Sequence, residues 1–281
     1  MSRYQLLDFG NARKLEQFGP FLIDRPCPAA EGMTQRQPAR WKNADYRFTE
    51  LPNRTGNVRG HWVPSVPPNW NVAFESFSLQ LRGTPFGHLG VFPEQQQNWS
   101  RIISVLKQAT EPVRVLNLFA YTGGSSLAAA MGGQHIETVH IDSAKNAADW
   151  AKENAVMNGV ADRIRFITED ARKFVKRENR RGSRYNAVFL DPPSYGHGVR
   201  GETWKIADDL PELLMDLKPL LIEPAFFLLT AHTPEWDAVR LQTLVLNAGL
   251  AEQNRIEKFT MPVVSEAGGT LPAGCGVRFV V

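Results

Sequence analysis

The segment 117–124 has the composition of a ligand-binding turn. It follows a nearly continuous apolar run, residues 113–119, which is typical of a central parallel strand buried on both faces of a sheet. Gly123 and Gly124 would let the backbone pass close to a ligand, and the following helix would point its amides and positive dipole end at that ligand. The pattern is not the pyrophosphate fingerprint G-x-G-x-x-G, so it favours a methionyl carboxylate over a dinucleotide phosphate. The residues of this turn that we predict to contact the ligand are Asn117, Phe119, Ala120, Thr122, Gly123 and Gly124.

Asp142 ends the next predicted strand, residues 138–141, and follows Gly123 at the distance expected of a nucleoside-binding acid. Its carboxylate could accept hydrogen bonds from both ribose hydroxyls. NAD would use the same acid, so Asp142 indicates a nucleoside ligand but does not distinguish NAD from another nucleoside cofactor. The alternative is that Asp142 caps the helix that begins near Ala144. Ser143, directly after Asp142, is included in the predicted cofactor site.

Asp170 comes just after a third predicted strand, residues 164–168. It is a candidate acceptor for the amino group of an adenine, and its neighbour Ala171 is included in the same site. The alternative is that Asp170 caps the helix beginning at Ala171. The two roles are compatible, because a carboxylate has lone pairs for several donors.

A second polar loop, Asp191-Pro192-Pro193-Ser194-Tyr195, directly follows the apolar strand 187–190. The two prolines fix φ and remove two backbone donors, which leaves carbonyl acceptors, and an ionised Asp191 adds an acceptor-only carboxylate. Such a cluster suits the holding of an amine or a base edge, and Tyr195 could stack on a planar substrate. The alternative is a rigid turn with a capping aspartate. We predict catalytic roles for Asp191, Pro192, Pro193 and Tyr195, with Asp191 also next to the cofactor.

Alternating strands and helices from about residue 86 predict the fold that brings these loops together. Repeated β-α units of this length are typical of an α/β, Rossmann-like, doubly wound and mostly parallel sheet, in which ligands bind outside the carboxyl ends of the strands. We therefore predict a Rossmann-like domain over residues 86–281, whose last stretches, 251–259 and 276–281, could pair as closing antiparallel strands.

Residues 1–85 predict a separate, small β-rich module, because turn formers and prolines interrupt any helical pattern. The candidate strands are residues 21–24, 46–50 and 72–81, and residues 54–68 are expected to be loop. This segment carries 11 Lys/Arg against 7 Asp/Glu, whereas the rest of the chain carries 21 against 22. The basic excess lies in the module and permits a polyanionic partner.

The composition is that of an ordinary globular protein, 43% hydrophobic and 22% charged over 281 residues. No apolar run approaches the roughly 20 residues of a membrane span, and no signal-peptide stretch follows the first residues. Cys27 and Cys275 have no metal-ligand spacing, and the histidines form no ligand cluster. We therefore expect a soluble, cytoplasmic protein with no metal and no membrane partner.

Taken together, residues 117–124, Asp142, Asp170 and Asp191-Pro192-Pro193 resemble the class I S-adenosylmethionine-dependent methyltransferases related to the 23S ribosomal RNA enzymes, of the cytosine-C5 and guanine-N7 types. The resemblance covers roughly residues 86–232. It implies S-adenosyl-L-methionine as cofactor, an RNA substrate and an RNA-docking module, although residues 1–85 show no clear match to such a module. Residues 89–95 resemble the family's loop before the first core strand, which implies that Phe92 and Gln95 are cofactor neighbours.

One departure from this family concerns cysteine. The cytosine-C5 enzymes attack the pyrimidine with a thiolate from the loop after the strand that follows Asp-Pro-Pro. Here residues 229–233 contain no cysteine, and Ser194 stands where some relatives carry one. Cys27 and Cys275 lie outside both motifs. The sequence therefore disfavours cytosine-C5 chemistry and favours methylation of a nitrogen.

Two other function classes stay open at this point. A nicotinamide-dependent oxidoreductase would use the same architecture, but the phosphate fingerprint and a Tyr/Lys or Cys/His catalytic set are absent. An RNA-binding module without catalysis is the other. The basic run 172–184 could engage RNA phosphates or could be a solvated helix face. His197 and His232 flank the predicted pocket and are more typical of surface polar groups than of catalysts.

Overall fold

The structure, a computed structural model, describes residues 3–51, 59–198 and 201–280. The chain divides into two compact units. The first comprises residues 1–96 and 262–273, and the second comprises residues 97–261 and 274–281. This division differs from the predicted boundary after residue 85, because the stretch up to Gln96 and a part of the C-terminal strands belong to the first unit.

The first unit is β-rich. Its main sheet has the order β1-β2-β3-β4-β5, and β6 and β7 form a separate hairpin. Asn11 and Ala12 both have left-handed backbone angles, φ 53° and 58°, which give the tight turn between β1 and β2. The strands are β1 (Tyr4–Gly10), β2 (Arg13–Phe18), β3 (Phe21–Pro26), β4 (Tyr46–Glu50), β5 (Gly60–Val63), β6 (Trp70–Ala73) and β7 (Ser78–Leu81).

Two sequence predictions for this unit were wrong. The predicted strand 72–81 is a hairpin, because the amide of Phe74 donates to the carbonyl of Phe77 (2.8 Å) where the chain reverses between β6 and β7. The predicted loop 54–68 contains strand β5, which pairs with β4. Residues 54–58 of that region lie outside the described residues.

The second unit contains a seven-stranded sheet in the order β10-β9-β8-β11-β14-β16-β15. The first five strands are parallel, and β16 is antiparallel to β14. This confirms the Rossmann-like, mostly parallel fold. Strand order reverses at β8, since β9 lies on one side of it and β11 on the other, which creates the crevice where such sheets bind ligands. The strands are β8 (Val113–Leu118), β9 (Ile136–Asp142), β10 (Ile164–Thr168), β11 (Tyr185–Leu190), β14 (Leu221–Ala231), β15 (Glu257–Val264) and β16 (Thr270–Val280).

Helices pack on this sheet, and a short hairpin follows the Asp191 loop. The hairpin consists of β12 (Tyr195–His197) and β13 (Thr203–Lys205). The core beneath is formed by wholly buried aliphatic and aromatic side chains such as Leu116, Val188 and Phe227. The helices are α1 (Gln96–Leu106), α2 (Gly124–Ala130), α3 (Lys145–Met157), α4 (Ala171–Arg181), α5 (Ile206–Leu217) and α6 (Ala238–Asn247).

Within the described part of the chain, no helix has the length and apolarity needed to cross a membrane. No group of three or more His, Cys, Asp or Glu side chains among the same residues could hold a metal ion.

Candidate active site

The turn after β8 has an unusual backbone. Phe119 and Tyr121 have backbone φ angles of 55° and 49°, which residues other than glycine rarely adopt. Gly123 follows with a φ of 96°. The amide of Ala120 donates to the carbonyl of Ile141 (3.0 Å), which fixes the turn to the end of β9. Strain held in this way is characteristic of functional loops.

The two glycines of the turn are required by packing. A Cβ on Gly124 would lie 2.6 Å from a ring carbon of Trp99, and a Cβ on Gly123 would lie 3.1 Å from that of Ala151. The close approach lets α1 and α3 pack directly against the turn. The glycines therefore have a structural role as well as the predicted ligand contact.

We expect Gly124→Ala to lower the free energy of unfolding by about 1–3 kcal/mol, the usual cost of overpacking a tight contact. Thermal unfolding followed by circular dichroism measures this. Ser125→Ala, one residue further along α2, adds no volume and is the control. A melting temperature for Gly124→Ala equal to that of the control would contradict the packing role.

A buried polar chain lies beneath the turn. Asn117 Nδ2 donates to Ser126 Oγ (2.9 Å), and Ser126 Oγ lies 3.0 Å from His140 Nδ1. Burial lowers the pKa of His140 to about 3, so the imidazole is neutral. The Asn117 side chain thus lies in the interior beside Ser126, and it does not line the cleft described next.

A cleft opens at the carboxyl edge of the sheet. Five residues of the predicted cofactor site line it together with Pro193 of the predicted reaction loop. Trp204 and His197 of the β12–β13 hairpin form another part of the wall. The predicted residues in the lining are Phe119, Asp142, Ser143, Asp170 and Ala171.

Asp142 is oriented by two backbone amides. Its Oδ2 accepts from Tyr121 (2.7 Å) and its Oδ1 accepts from Ala144 (2.8 Å). Burial raises the pKa of Asp142, and the two amides oppose this by stabilising the carboxylate. Ala144 is the N-cap residue of α3 and makes no side-chain cap of its own, so the bond from its amide ties Asp142 to the start of that helix. The carboxylate therefore fixes the turn, and its remaining lone pairs can accept ribose hydroxyls.

Asp170 has the capping role that the sequence offered as an alternative. Its carboxylate accepts from the amides of Arg172 (3.0 Å) and Lys173 (3.1 Å) in the first turn of α4. The same side chain lines the cleft. Both roles are thus available to it.

Asp191 is held by the strand next to its own. Thr230 Oγ1, near the end of β14, donates to Asp191 Oδ1 (2.7 Å), and His232 Nε2 lies 3.2 Å from the same oxygen. Thr230 carries no signal of its own in the sequence, because it is a threonine near the end of an apolar strand. His232 therefore contacts the reaction loop directly, whereas the sequence indicated a surface polar group.

The rest of the reaction loop is divided between interior and surface. Pro192 is buried, Pro193 lines the cleft, and Tyr195 is 54% exposed. The ring of Tyr195 stands edge-on to His197, with centroids 5.0 Å apart. Its exposed face is available for stacking on a planar group.

Trp204 is the main residue that the sequence analysis missed. Its indole Nε1 donates to the carbonyl of Pro193 (2.7 Å), and its ring centroid lies 4.6 Å from that of Phe119. It therefore links the cofactor turn to the reaction loop. No sequence motif predicts the role of Trp204, because it belongs to a three-residue strand that is too short to give a periodic pattern.

Cys275 is brought near the reaction loop by strand pairing. It is the register partner of Ala231 on β14, directly before His232. Its Sγ, however, donates to the buried carbonyl of Trp236 (3.2 Å), and burial together with the charge of Asp237 raises the pKa of the thiol. It is therefore a poor source of a thiolate nucleophile.

The basic run on α4 is largely neutralised by acids. All of these partners except Glu178, which lies on α4 itself, come from other segments, so a count along the helix overstates its charge. The pairs are Arg172–Asp209 (2.5 Å), Lys173–Glu202, Lys176–Glu212 (2.7 Å), Arg177–Glu169 (2.5 Å) and Arg181–Glu178 (3.1 Å). The structure thus favours a paired surface helix over a phosphate-binding patch.

Phe92 and Gln95 belong to the first unit. The ring of Phe92 lies 5.6 Å from that of His88, and Gln95 is buried. Their part in cofactor binding stays a prediction. Ala120 and Thr122 are buried within the turn, and the carbonyl of Thr122 accepts from Asn154 Nδ2 (2.9 Å).

Two curated relatives of this chain are named as ribosomal RNA enzymes. Ribosomal RNA large subunit methyltransferase K/L of Alteromonas mediterranea is 31% identical over 180 residues, which is 64% of this chain and 24% of that protein. Ribosomal RNA large subunit methyltransferase I of Aeromonas salmonicida is 31% identical over 147 residues, 52% of this chain and 35% of that protein. The chain thus matches about a quarter to a third of the length of these relatives.

A solved structure matches over the whole chain. The crystal structure of a SAM-dependent methyltransferase from Agrobacterium tumefaciens is 33% identical with a TM-score of 0.90, and the match covers 100% of this chain and 91% of that one. Residues 70–238 match the model of a family described as S-adenosylmethionine-dependent methyltransferase. None of these similarities supports a nicotinamide-dependent oxidoreductase. The chain belongs to the S-adenosylmethionine-dependent methyltransferases, and S-adenosylmethionine is its cofactor.

Proposed function

We propose that this methyltransferase modifies a nitrogen of a base in RNA, with ribosomal RNA as the substrate class. The observation that carries the proposal is the Asp191-Pro-Pro loop: Pro193 lines the cleft, Asp191 two residues earlier carries an acceptor-only carboxylate, and the loop itself holds no thiol. The names of the K/L and I relatives support the RNA substrate. A ribosomal RNA substrate also implies that the enzyme works in the cytoplasm.

The residues around the cleft fit the cofactor. Asp142 would accept the ribose hydroxyls, Asp170 would accept the adenine amino group, and the amides at Gly123 and Gly124 would receive the methionyl carboxylate. Phe119 would pack against the adenosine. Phe92 and Gln95 are further cofactor neighbours implied by the family resemblance.

When bound, S-adenosylmethionine supplies an electrophilic methyl group on a sulfonium. The protein's own part is alignment and exclusion of water, because methyl transfer is an in-line displacement. Asp191, fixed by Thr230, would accept a hydrogen bond from an N–H of the reacting nitrogen and so orient that nitrogen. In that transfer an N–C bond would form as the C–S bond breaks, and a proton released by the nitrogen would pass to Asp191 or to solvent. Tyr195 would stack on the base.

The test is methyl transfer to an unmodified transcript of large-subunit ribosomal RNA, with methyl-labelled cofactor. The RNA is digested to nucleosides, and the labelled product is identified by mass spectrometry. We expect a nucleoside methylated on nitrogen. Labelled 5-methylcytidine, or no label in the RNA, would overturn the proposal.

A variant of Cys275 distinguishes methylation of a nitrogen from cytosine-C5 methylation by a thiolate. We expect Cys275→Ala to retain turnover within about a factor of two, because the buried thiol acts as a small hydrophobe. Steady-state methyl transfer measures this, with Cys27→Ala as the matched cysteine control. A loss of activity in Cys275→Ala at an unchanged melting temperature would point to a thiolate mechanism instead.

A further inference from the structure

Arg172, the second residue of α4, joins three elements of the second unit. Its Nη2 donates to Asp170 Oδ2 (3.0 Å) and to the carbonyl of Thr203 on β13 (3.1 Å). Its Nη1 donates to Asp209 Oδ1 near the start of α5 (2.5 Å). A guanidinium can serve all three acceptors at once because its donors form a fixed planar fork.

The partners of Arg172 form two parts of the cleft wall. Asp170 lines the cleft directly. Thr203 precedes Trp204, whose ring centroid lies 5.8 Å from the Arg172 guanidinium. Trp204 also contacts the ring of Phe119 and donates to the carbonyl of Pro193. Arg172 therefore contacts the acid on one part of the wall and the aromatic hairpin on the other.

The Arg172 pairs are more enclosed than the neighbouring ion pairs of α4. The side chain of Arg172 is 22% exposed, and those of Asp170 and Asp209 are 10% and 20% exposed. One turn further along, Lys176 and Glu212 are 48% and 59% exposed. Exposed pairs contribute little, whereas enclosed charge-assisted hydrogen bonds fix geometry.

We propose that Arg172 is a positioning residue for cofactor binding: it holds the Asp170 carboxylate and the Trp204 hairpin in the shape that receives the adenosine. This rests on the proposed assignment of the cleft to the adenosine. Arg172 lines no part of the cleft in the described residues, so it acts through these two partners.

The test compares Arg172→Gln with Lys176→Gln, which removes a cation from the same helix. We expect Arg172→Gln to raise the KM for S-adenosylmethionine about tenfold, with kcat at saturating cofactor within twofold of wild type. Lys176→Gln should leave both constants unchanged, and Arg172→Lys should give an intermediate KM. An unchanged KM for Arg172→Gln, or the same rise in Lys176→Gln, overturns the proposal.

A double-mutant cycle distinguishes positioning from general destabilisation. The affinity for S-adenosylhomocysteine is measured by calorimetry for Asp170→Asn, Arg172→Gln and the double variant. We expect the loss from Arg172→Gln to be at least threefold smaller when Asp170 is already changed, and an equal loss in both backgrounds overturns the proposal. If Arg172→Gln does not fold, Arg172→Lys takes its place in the cycle.

The same titrations distinguish failure of this inference from failure of the site assignment. If Asp142→Ala weakens S-adenosylhomocysteine while Arg172→Gln does not, the assignment stands and the role of Arg172 is wrong. If neither change alters the affinity, the assignment of the cleft is wrong, and the inference falls with it.

Discussion

Asp191→Ala is expected to reduce kcat for methyl transfer by roughly 10²–10⁴-fold, the range for a group that positions a substrate or moves its proton. The side chain lies at the end of β11 and is held by Thr230 and His232, so its carboxylate is fixed before substrate arrives. Alanine removes the acceptor that would orient the nitrogen. The affinity for the cofactor should change much less than the turnover.

Steady-state methyl transfer and thermal unfolding are measured on the same preparation. Asp208→Ala is the matched control, because Asp208 is an exposed carboxylate on α5, with 68% of its side chain accessible. We expect Asp191→Ala to fold and the control to turn over normally. Wild-type turnover in Asp191→Ala would refute its assigned role.

Asp142→Ala is expected to weaken cofactor binding by about 1.5–3 kcal/mol, the loss associated with hydrogen bonds to a charged group. Two separate losses would both weaken cofactor binding. The ribose would lose its acceptor, and the amide of Tyr121 would lose the bond that fixes the turn. Calorimetric titration with S-adenosylhomocysteine measures the change, with NAD as the non-cognate ligand.

The control for this variant is Asp149→Ala, a carboxylate on α3 with 59% of its side chain exposed. Its affinity should equal that of wild type. An unchanged affinity in Asp142→Ala would mean that Asp142 serves only the turn and the start of α3. Tight binding of NAD to the wild-type protein would contradict the cofactor assignment.

The parallel core of the second unit could be predicted because its signals are local. Several strands are apolar runs with a polar residue at the carboxyl end, as with Asp142, the last residue of β9, and Asp191, directly after β11. Parallel strands align these ends at one sheet edge, so the sequence suffices to bring the two acids to one region. The order of β16 and β15 could not be derived, because it depends on long-range pairing.

The first unit was harder to predict because charged residues occupy buried strand positions. Asp8 on β1 and Glu16 on β2 are almost wholly buried, and they break the alternation that marks a strand. Each has its own partners, since Trp41 Nε1 donates to Asp8 (2.9 Å) and Arg25 forms a salt bridge with Glu16 (2.5 Å). Such pairings join residues distant in sequence and leave no local pattern.

Contacts between residues distant in sequence also limited what could be predicted of the site. Arg172 appears in the sequence as one cation in a basic run, and Trp204 as an isolated aromatic residue. Their importance follows from contacts with Asp209 and Phe119, which lie far away along the chain. Charge density counted along one helix cannot include acids contributed by other elements, so the sequence overstated the basic character of α4.

The most direct test of the central claim, that the cleft and the Asp191 loop form one active site, is a crystal structure with S-adenosylhomocysteine bound. We expect both ribose hydroxyls to lie within hydrogen-bond distance of the Asp142 carboxylate. We also expect the adenine to lie beside Asp170 and the sulfur to face the Asp191 loop. A ligand bound elsewhere, or one whose ribose does not contact Asp142, would contradict that claim.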